Sequence, residues 1–286
     1  MKNKIILFLV LCFCFNLAGF AQSTVHESVK FQSKKLGKEV SYSIYLPDGY
    51  NSSERYYPVL YLLHGYTDNE TMWIQTGQMQ EITDRAICSD QAVPMIVVMP
   101  DAWDTWYINQ YDGKAPYEDM FFEELIPYME KTYRIRGKKE SRAIAGLSMG
   151  GYGSFLYSLH HPDMFCACAP LSAAVFDDTV MEARKARSHK DLFNRLFGPG
   201  DEHWQQNNVL KILSGWDQND LPKIRYYIDC GDDDGLLDGN MQVHQIMRQK
   251  GIKHEFRVRD GGHSWTYWRT ALPEVLKFVS QAFCRS

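Results

Sequence analysis

Cysteine is scarce in this chain, with seven in 286 residues. Cys12 and Cys14 sit in an N-terminal apolar run, and Cys88, Cys166, Cys168, Cys230 and Cys284 form an odd, scattered set. That excludes a disulfide framework as the basis of the fold. A single bridge is compatible with an oxidising compartment, and the sequence does not choose its partners. Cys166 and Cys168 stand two apart in an apolar stretch, so a strand there turns both to one face as small buried hydrophobes. Excess charge is lacking too. The formal net charge is −4, and loss of Lys2 and Lys4 with a leader makes the remainder two charges more acidic. Nucleic acid and anionic membrane are therefore disfavoured as partners. The one basic stretch, Arg184, Lys185, Arg187 and Lys190, is offset by Glu182 and Asp191 and reads as a solvated helix face. Internal repeats, low-complexity tracts and linkers are absent.

Long apolar runs are confined to the N-terminus. Lys2 and Lys4 precede an unbroken run from Ile5 to Phe15, and small residues follow at Ala18, Gly19 and Ala21. Basic, apolar and small segments in that order make a secretory signal peptide, with cleavage expected before Gln22. The run is shorter than the roughly 20 residues that cross a bilayer, and Leu11 before Cys12 does not fit a lipoprotein. The expected organisation is a leader over 1–21 and one domain over 22–286, secreted or periplasmic, without stable membrane insertion. That length suits a single large domain with a substantial core.

What is present is an alternation. Short apolar runs that read as strands fall at Val40 to Leu46, Pro58 to Leu63, Met95 to Met99, Ser141 to Ala145, Met164 to Leu171, Ile224 to Asp229 and His254 to Val258. The middle runs are almost continuously apolar, as in strands covered on both faces. Helical stretches fall at Asn69 to Ala86, Tyr117 to Tyr133, Gly151 to His160, Asn240 to Gln249 and Pro273 to Phe283. This order predicts an α/β fold, a mostly parallel sheet wrapped by helices, with chemistry at the carboxyl ends of strands.

Reactive residues stand at those ends. The run Ala143-Ile144-Ala145 leads into Gly146-Leu147-Ser148-Met149-Gly150-Gly151 and then a helix. This is a Gly-x-Ser-x-Gly elbow in its strand–turn–helix context. The glycines are needed because side chains two before and two after the serine would collide. A serine needs a base, and the base an orienting acid. In this fold the order is serine, acid, histidine. After the Ile224 strand comes Gly231-Asp232-Asp233-Asp234-Gly235-Leu236-Leu237, and after the His254 strand comes Gly261-Gly262-His263. Leu236 and Leu237 occupy positions where a calcium loop would continue its ligands. The two oxyanion donors are expected at the backbone N–H of Met149, after the nucleophile, and of Tyr66, in the turn Leu63-His64-Gly65-Tyr66. His64 is expected to bond its own loop and not to serve as a second base.

On these motifs the chain resembles the esterase D family of α/β-hydrolases. The matching segments are Tyr61-Leu62-Leu63-His64-Gly65, the serine elbow, Gly231-x-x-Asp234-x-Leu236 and Gly262-His263-x-Trp265-x-x-Trp268, with Trp106-Tyr107-x-Asn109 and Tyr117-Glu118-Asp119 besides. The family includes S-formylglutathione hydrolases, carbohydrate esterase 1-type feruloyl and acetylxylan esterases, and mycolyltransferases. The resemblance implies the α/β-hydrolase fold and a catalytic triad of Ser148, Asp234 and His263, with Asp233 as the alternative acid. It implies no metal or organic cofactor. Trp106 and Tyr107 are expected at the substrate because the Asp101 to Tyr117 segment borders the family's cleft, and Trp265 because it stands beside His263; aromatic walls suit a planar acyl group or a sugar ring. Export points to feruloyl or acetyl esters of plant polysaccharide, over glutathione thioesters. The alternatives are acyl transfer to a sugar hydroxyl and broad short-chain ester hydrolysis. Glu118 and Asp119 are expected to stabilise a helix N-terminus.

Overall fold

The computed structural model describes residues 23–186, 190–217 and 223–284. The leader expected over 1–21 lies outside the described residues, as does Arg187.

Eight strands form one sheet: β1 (Thr24–Ser33), β2 (Lys38–Leu46), β3 (Val59–Leu63), β4 (Ile96–Pro100), β5 (Arg142–Leu147), β6 (Ala167–Leu171), β7 (Arg225–Gly231) and β8 (His254–Arg259). Their spatial order is β1-β2-β4-β3-β5-β6-β7-β8. The pairs from β4–β3 through β7–β8 are parallel, whereas β1–β2 and β2–β4 are antiparallel. β3, β4, β5 and β6 are buried along their whole length, which is why they read as continuous apolar runs.

Helices cover both faces: α1 (Met72–Gln75), α2 (Met79–Cys88), α3 (Tyr117–Met120), α4 (Ile126–Thr132), α5 (Met149–His160), α6 (Asp178–Ala186), α7 (Lys190–Phe197), α8 (Glu202–Gln206), α9 (Val209–Gly215), α10 (Leu237–Lys250) and α11 (Trp265–Phe283). One core layer joins the sheet to α1, α2 and α11 through Trp73, Ile82, Leu272, Val275 and Leu276. The other joins it to α3, α4, α5 and α10 through Phe121, Ile126, Phe155 and Val243. The expected α/β architecture is therefore the observed one.

Several boundaries differ. The helix expected over Asn69 to Ala86 is broken at Gly77, where a Cβ would lie 2.4 Å from the Trp73 carbonyl oxygen. The helix expected over Tyr117 to Tyr133 contains a π-helical turn at Phe121–Leu125. α11 begins eight residues before Pro273, started by Ser264, whose hydroxyl accepts from the Tyr267 N–H. The strand expected from Met164 begins only at Ala167. Cys166 thus escapes the strand's alternation, packing against one core layer while Cys168 is buried in the other. The five cysteines among the described residues are free thiols.

Candidate active site

Ser148 stands between β5 and α5 with φ 55° and ψ −115°. A side-chain-bearing residue at positive φ is strained, and the surrounding glycines show what holds it there. A Cβ on Gly146 would lie 2.5 Å from the Gly150 oxygen, and one on Gly150 would lie 2.5 Å from the Leu63 oxygen. β3, β5 and α5 meet so closely at this turn that only glycine fits two residues either side of the serine.

The Ser148 hydroxyl lies 2.9 Å from His263 Nε2, and His263 Nδ1 lies 2.9 Å from Asp234 Oδ2. Asp234 is buried, while the neighbouring Asp232 and Asp233 are exposed. Burial by itself pushes the Asp234 carboxyl up. Hydrogen bonds from His263, Ser172 and the Leu236 N–H outweigh it and hold the carboxyl below its ordinary range. The other acids of the loop have different work. Asp232 Oδ1 accepts from the Gly261 N–H at 2.9 Å, and the Asp233 N–H donates to the Gly261 oxygen at 3.1 Å. They stitch the loop after β7 to the loop after β8. Asp229, inside the sheet, accepts from Arg259, Tyr227 and Tyr267.

The loop after β3 closes the other side. A Cβ on Gly65 would lie 3.6 Å from the Ser148 Cβ, so this loop runs against the serine, and Tyr66 lines the same cavity. His64 is buried. Its Nδ1 donates to the Gly65 oxygen at 2.8 Å, and its Nε2 accepts from the Ala102 N–H at 2.9 Å. It ties two loops together, and both ring nitrogens are engaged away from Ser148. The Met149 N–H opens α5, where the helix dipole favours negative charge.

A cavity of about 340 Å³ lies over the serine. Its lining comprises Tyr66, Trp106, Ser148, Ala174, Phe176, Arg184, Leu192, Phe193, Asp234, Gly235, Leu236 and His263. Of the three aromatics expected at the substrate, only Trp106 is there. Tyr107 is fully buried: its hydroxyl donates to the His64 oxygen at 3.0 Å, and its ring lies over Gly153 of α5. It braces the β3 loop from beneath. Trp265 packs edge-on against Trp73 and Trp268 in the opposite core layer and is not part of the lining. The ring beside His263 is Trp268, at 4.8 Å between centroids, and its indole N–H donates to Ser172.

Arg184 also departs from expectation. It is half-buried on the cavity wall with its guanidinium over the Phe176 ring at 4.1 Å, not spread on a solvated face. Glu118 and Asp119 lie in the first turn of α3, as expected, but the Glu118 carboxylate has a further role. It is buried and accepts from His160 at 2.8 Å and His161 at 2.9 Å.

The Esterase family model matches residues 33–279. The chain belongs to that family. Esterase relatives include a solved ferulic acid esterase, 36% identical, with a TM-score of 0.81 over 92% of this chain and 99% of that one. An acetyl esterase of Caldicellulosiruptor saccharolyticus is 26% identical over 78% of this chain and 83% of its own. An endo-1,4-beta-xylanase/feruloyl esterase of Xylanibacter ruminicola is 28% identical over 87% of this chain, which spans 30% of that longer protein. With the fold, these relatives identify the protein as an α/β-hydrolase esterase.

Sequence reasoning missed Ser172, Phe176, Arg184, Phe193 and Trp268. Trp268 stood in a family segment but was given no contact, and Ser172 carried only the signal of following a strand. The other three lie between β6 and β7, where no motif marked a site.

Proposed function

We propose that Ser148, His263 and Asp234 form the catalytic triad and that the enzyme hydrolyses hydroxycinnamoyl esters, with feruloyl esters of plant polysaccharide as the substrate class. His263 takes the proton from the Ser148 hydroxyl as its oxygen attacks the ester carbonyl, and the tetrahedral oxyanion rests on the backbone N–H groups of Tyr66 and Met149. His263 then gives that proton to the departing alcohol, leaving an acyl-serine. Water, deprotonated by His263, repeats the attack and releases the acid. Asp234 holds the imidazole with Nε2 toward the serine and stabilises the imidazolium that forms.

The observation that carries this reading is the serine–histidine–aspartate relay of 2.9 Å contacts opening into a cavity walled by Trp106, Phe176 and Phe193. Such walls suit a flat aryl group, and the ferulic acid esterase relative covers nearly its whole length. The acetyl esterase relative supports acetyl esters as the second reading. The N-terminal segment supports export, which N-terminal sequencing of the purified protein checks through an expected start at Gln22.

The deciding experiment compares kcat/KM on methyl ferulate, acetylated xylan and 4-nitrophenyl acetate, with Ser148→Ala as the blank. The blank should lose on the order of 10⁶ in kcat, by analogy with serine protease nucleophiles. A parent enzyme that prefers acetyl over feruloyl esters refutes the feruloyl assignment, and an active Ser148→Ala variant refutes the nucleophile.

A further inference from the structure

The cavity over Ser148 is unbalanced in its polar groups. Outside the serine, histidine and aspartate, the side-chain nitrogens of the lining residues are the Arg184 guanidinium and the Trp106 indole. Trp106 is 6% exposed, and its Nε1 is buried with no hydrogen-bond partner among the described residues. Arg184 makes no ion pair among the described residues; its one contact of note is the face of Phe176. Burial lowers the Arg184 pKa, and no anion among the described residues offsets it. The single carboxylate on the lining, Asp234, is engaged by His263. A half-buried cation without a counter-charge is costly, as is a buried N–H without an acceptor. The cost at Arg184 disappears if the bound molecule brings a negative charge to it, whereas the Trp106 Nε1 has no accessible surface and takes no part.

We propose that Arg184 makes this cavity a binding site for esters that carry a carboxylate on the part seated there. The assignment rests on the esterase reading of the same cavity and adds a charge preference that aromatic walls alone do not supply. A guanidinium presents paired N–H groups to a carboxylate, and its backing by the Phe176 ring fixes the plane of that fork. Because Arg184 comes from α6 and the triad from strand ends, the group acts on binding and not on the chemical step.

The test measures the charged-to-neutral ratio of kcat/KM in two matched pairs. On the acyl side, methyl 4-carboxycinnamate is set against methyl 4-methylcinnamate. On the alcohol side, the feruloyl ester of a uronic acid is set against that of the corresponding neutral sugar. The parent enzyme should favour the charged member of one pair. Arg184→Gln should lower that ratio by about 10- to 100-fold, the range of a lost charge-assisted contact, chiefly through KM. Arg184→Lys should retain part of it. A merely structural Arg184 would depress both members alike and leave the ratio unchanged, which overturns the proposal. So does a parent enzyme that prefers the neutral member of both pairs while still cleaving methyl ferulate, and that outcome leaves the esterase reading standing.

Discussion

At the scale of single residues, three consecutive aspartates after β7 are chemically alike and structurally distinct. Only Asp234 is buried against His263, while Asp232 and Asp233 face solvent and bond the backbone of Gly261. Asp234→Asn removes the charge that fixes the imidazole tautomer, a loss of about 10⁴ in kcat in a comparable triad. Asp233→Asn keeps its backbone N–H bond to Gly261 and should retain kcat within about threefold, since exposed substitutions away from such features are small. Steady-state kinetics on 4-nitrophenyl acetate separates the two, and a severe Asp233 variant would move the acid by one position. Trp106 offers a second comparison. Its ring sits on the cavity wall among Tyr152, Phe176 and Phe193. Trp106→Ala should reduce kcat/KM on methyl ferulate about tenfold more than on an acetyl ester, since an aryl acyl group loses contacts that an acetyl group never makes. Equal loss on both would mark the ring as packing only.

At the scale of elements, the site depends on how closely the ends of β7 and β8 approach. A Cβ on Gly231 would lie 1.9 Å from the Gly261 oxygen. Gly231→Ala must therefore push apart the two loops that carry Asp234 and His263. Esterase activity should fall by about 100-fold, the scale of a 1 Å misplacement, and the melting temperature should drop. A variant with parental kinetics would show that the loops tolerate separation. The same scale explains what was legible in the sequence. The buried strands β3 to β7 announced themselves by apolar runs, and the elbow by its glycines. β1 did not, because it is an edge strand with half-exposed polar side chains and an irregularity at Ser28, where φ is 53°. The helices α7 to α9 were missed, and α6 was read only as a solvated basic face, because α6 and α7 pack on each other, α8 on α9, and α9 on α5 and α10, with no motif to mark them. Trp106 and Tyr107 are adjacent and both aromatic, yet one faces the cavity and the other supports His64. No periodicity reaches that distinction, since both residues have positive φ in an irregular loop.

At the scale of the whole molecule, stability should depend on pH through a cluster far from the triad. Glu118 in α3 receives His160 from the end of α5 and the adjacent His161, and His160 Nε2 also faces the Gln206 carbonyl at 3.0 Å. With an acceptor at each ring nitrogen, His160 satisfies both only as the cation. Burial would lower its pKa, but the bond to Glu118 outweighs that and raises it above 6.5. Burial would likewise raise Glu118, and its two histidine bonds hold it below 4.5. The Glu118 contribution is present above about pH 4.5 and is lost as pH falls through its lowered folded value. The His160 contribution is present below about pH 6.5 and is lost as pH rises through its raised folded value. The cluster is thus strongest between those limits. A melting-temperature series from pH 3 to 9 should show Glu118→Gln losing stability most within this window, with a flatter profile than the parent. An unchanged profile would remove the cluster from the pH response.

The proposed triad comes from the ends of β5, β7 and β8, whereas Arg184, Leu192 and Phe193 come from the excursion between β6 and β7. Much of the cavity wall is thus encoded apart from the serine, histidine and aspartate, with Trp106 added by the loop after β4. A lineage can rewrite the excursion, and with it that part of the wall, without touching those three residues. Grafting that stretch from one relative into another is the corresponding laboratory shortcut.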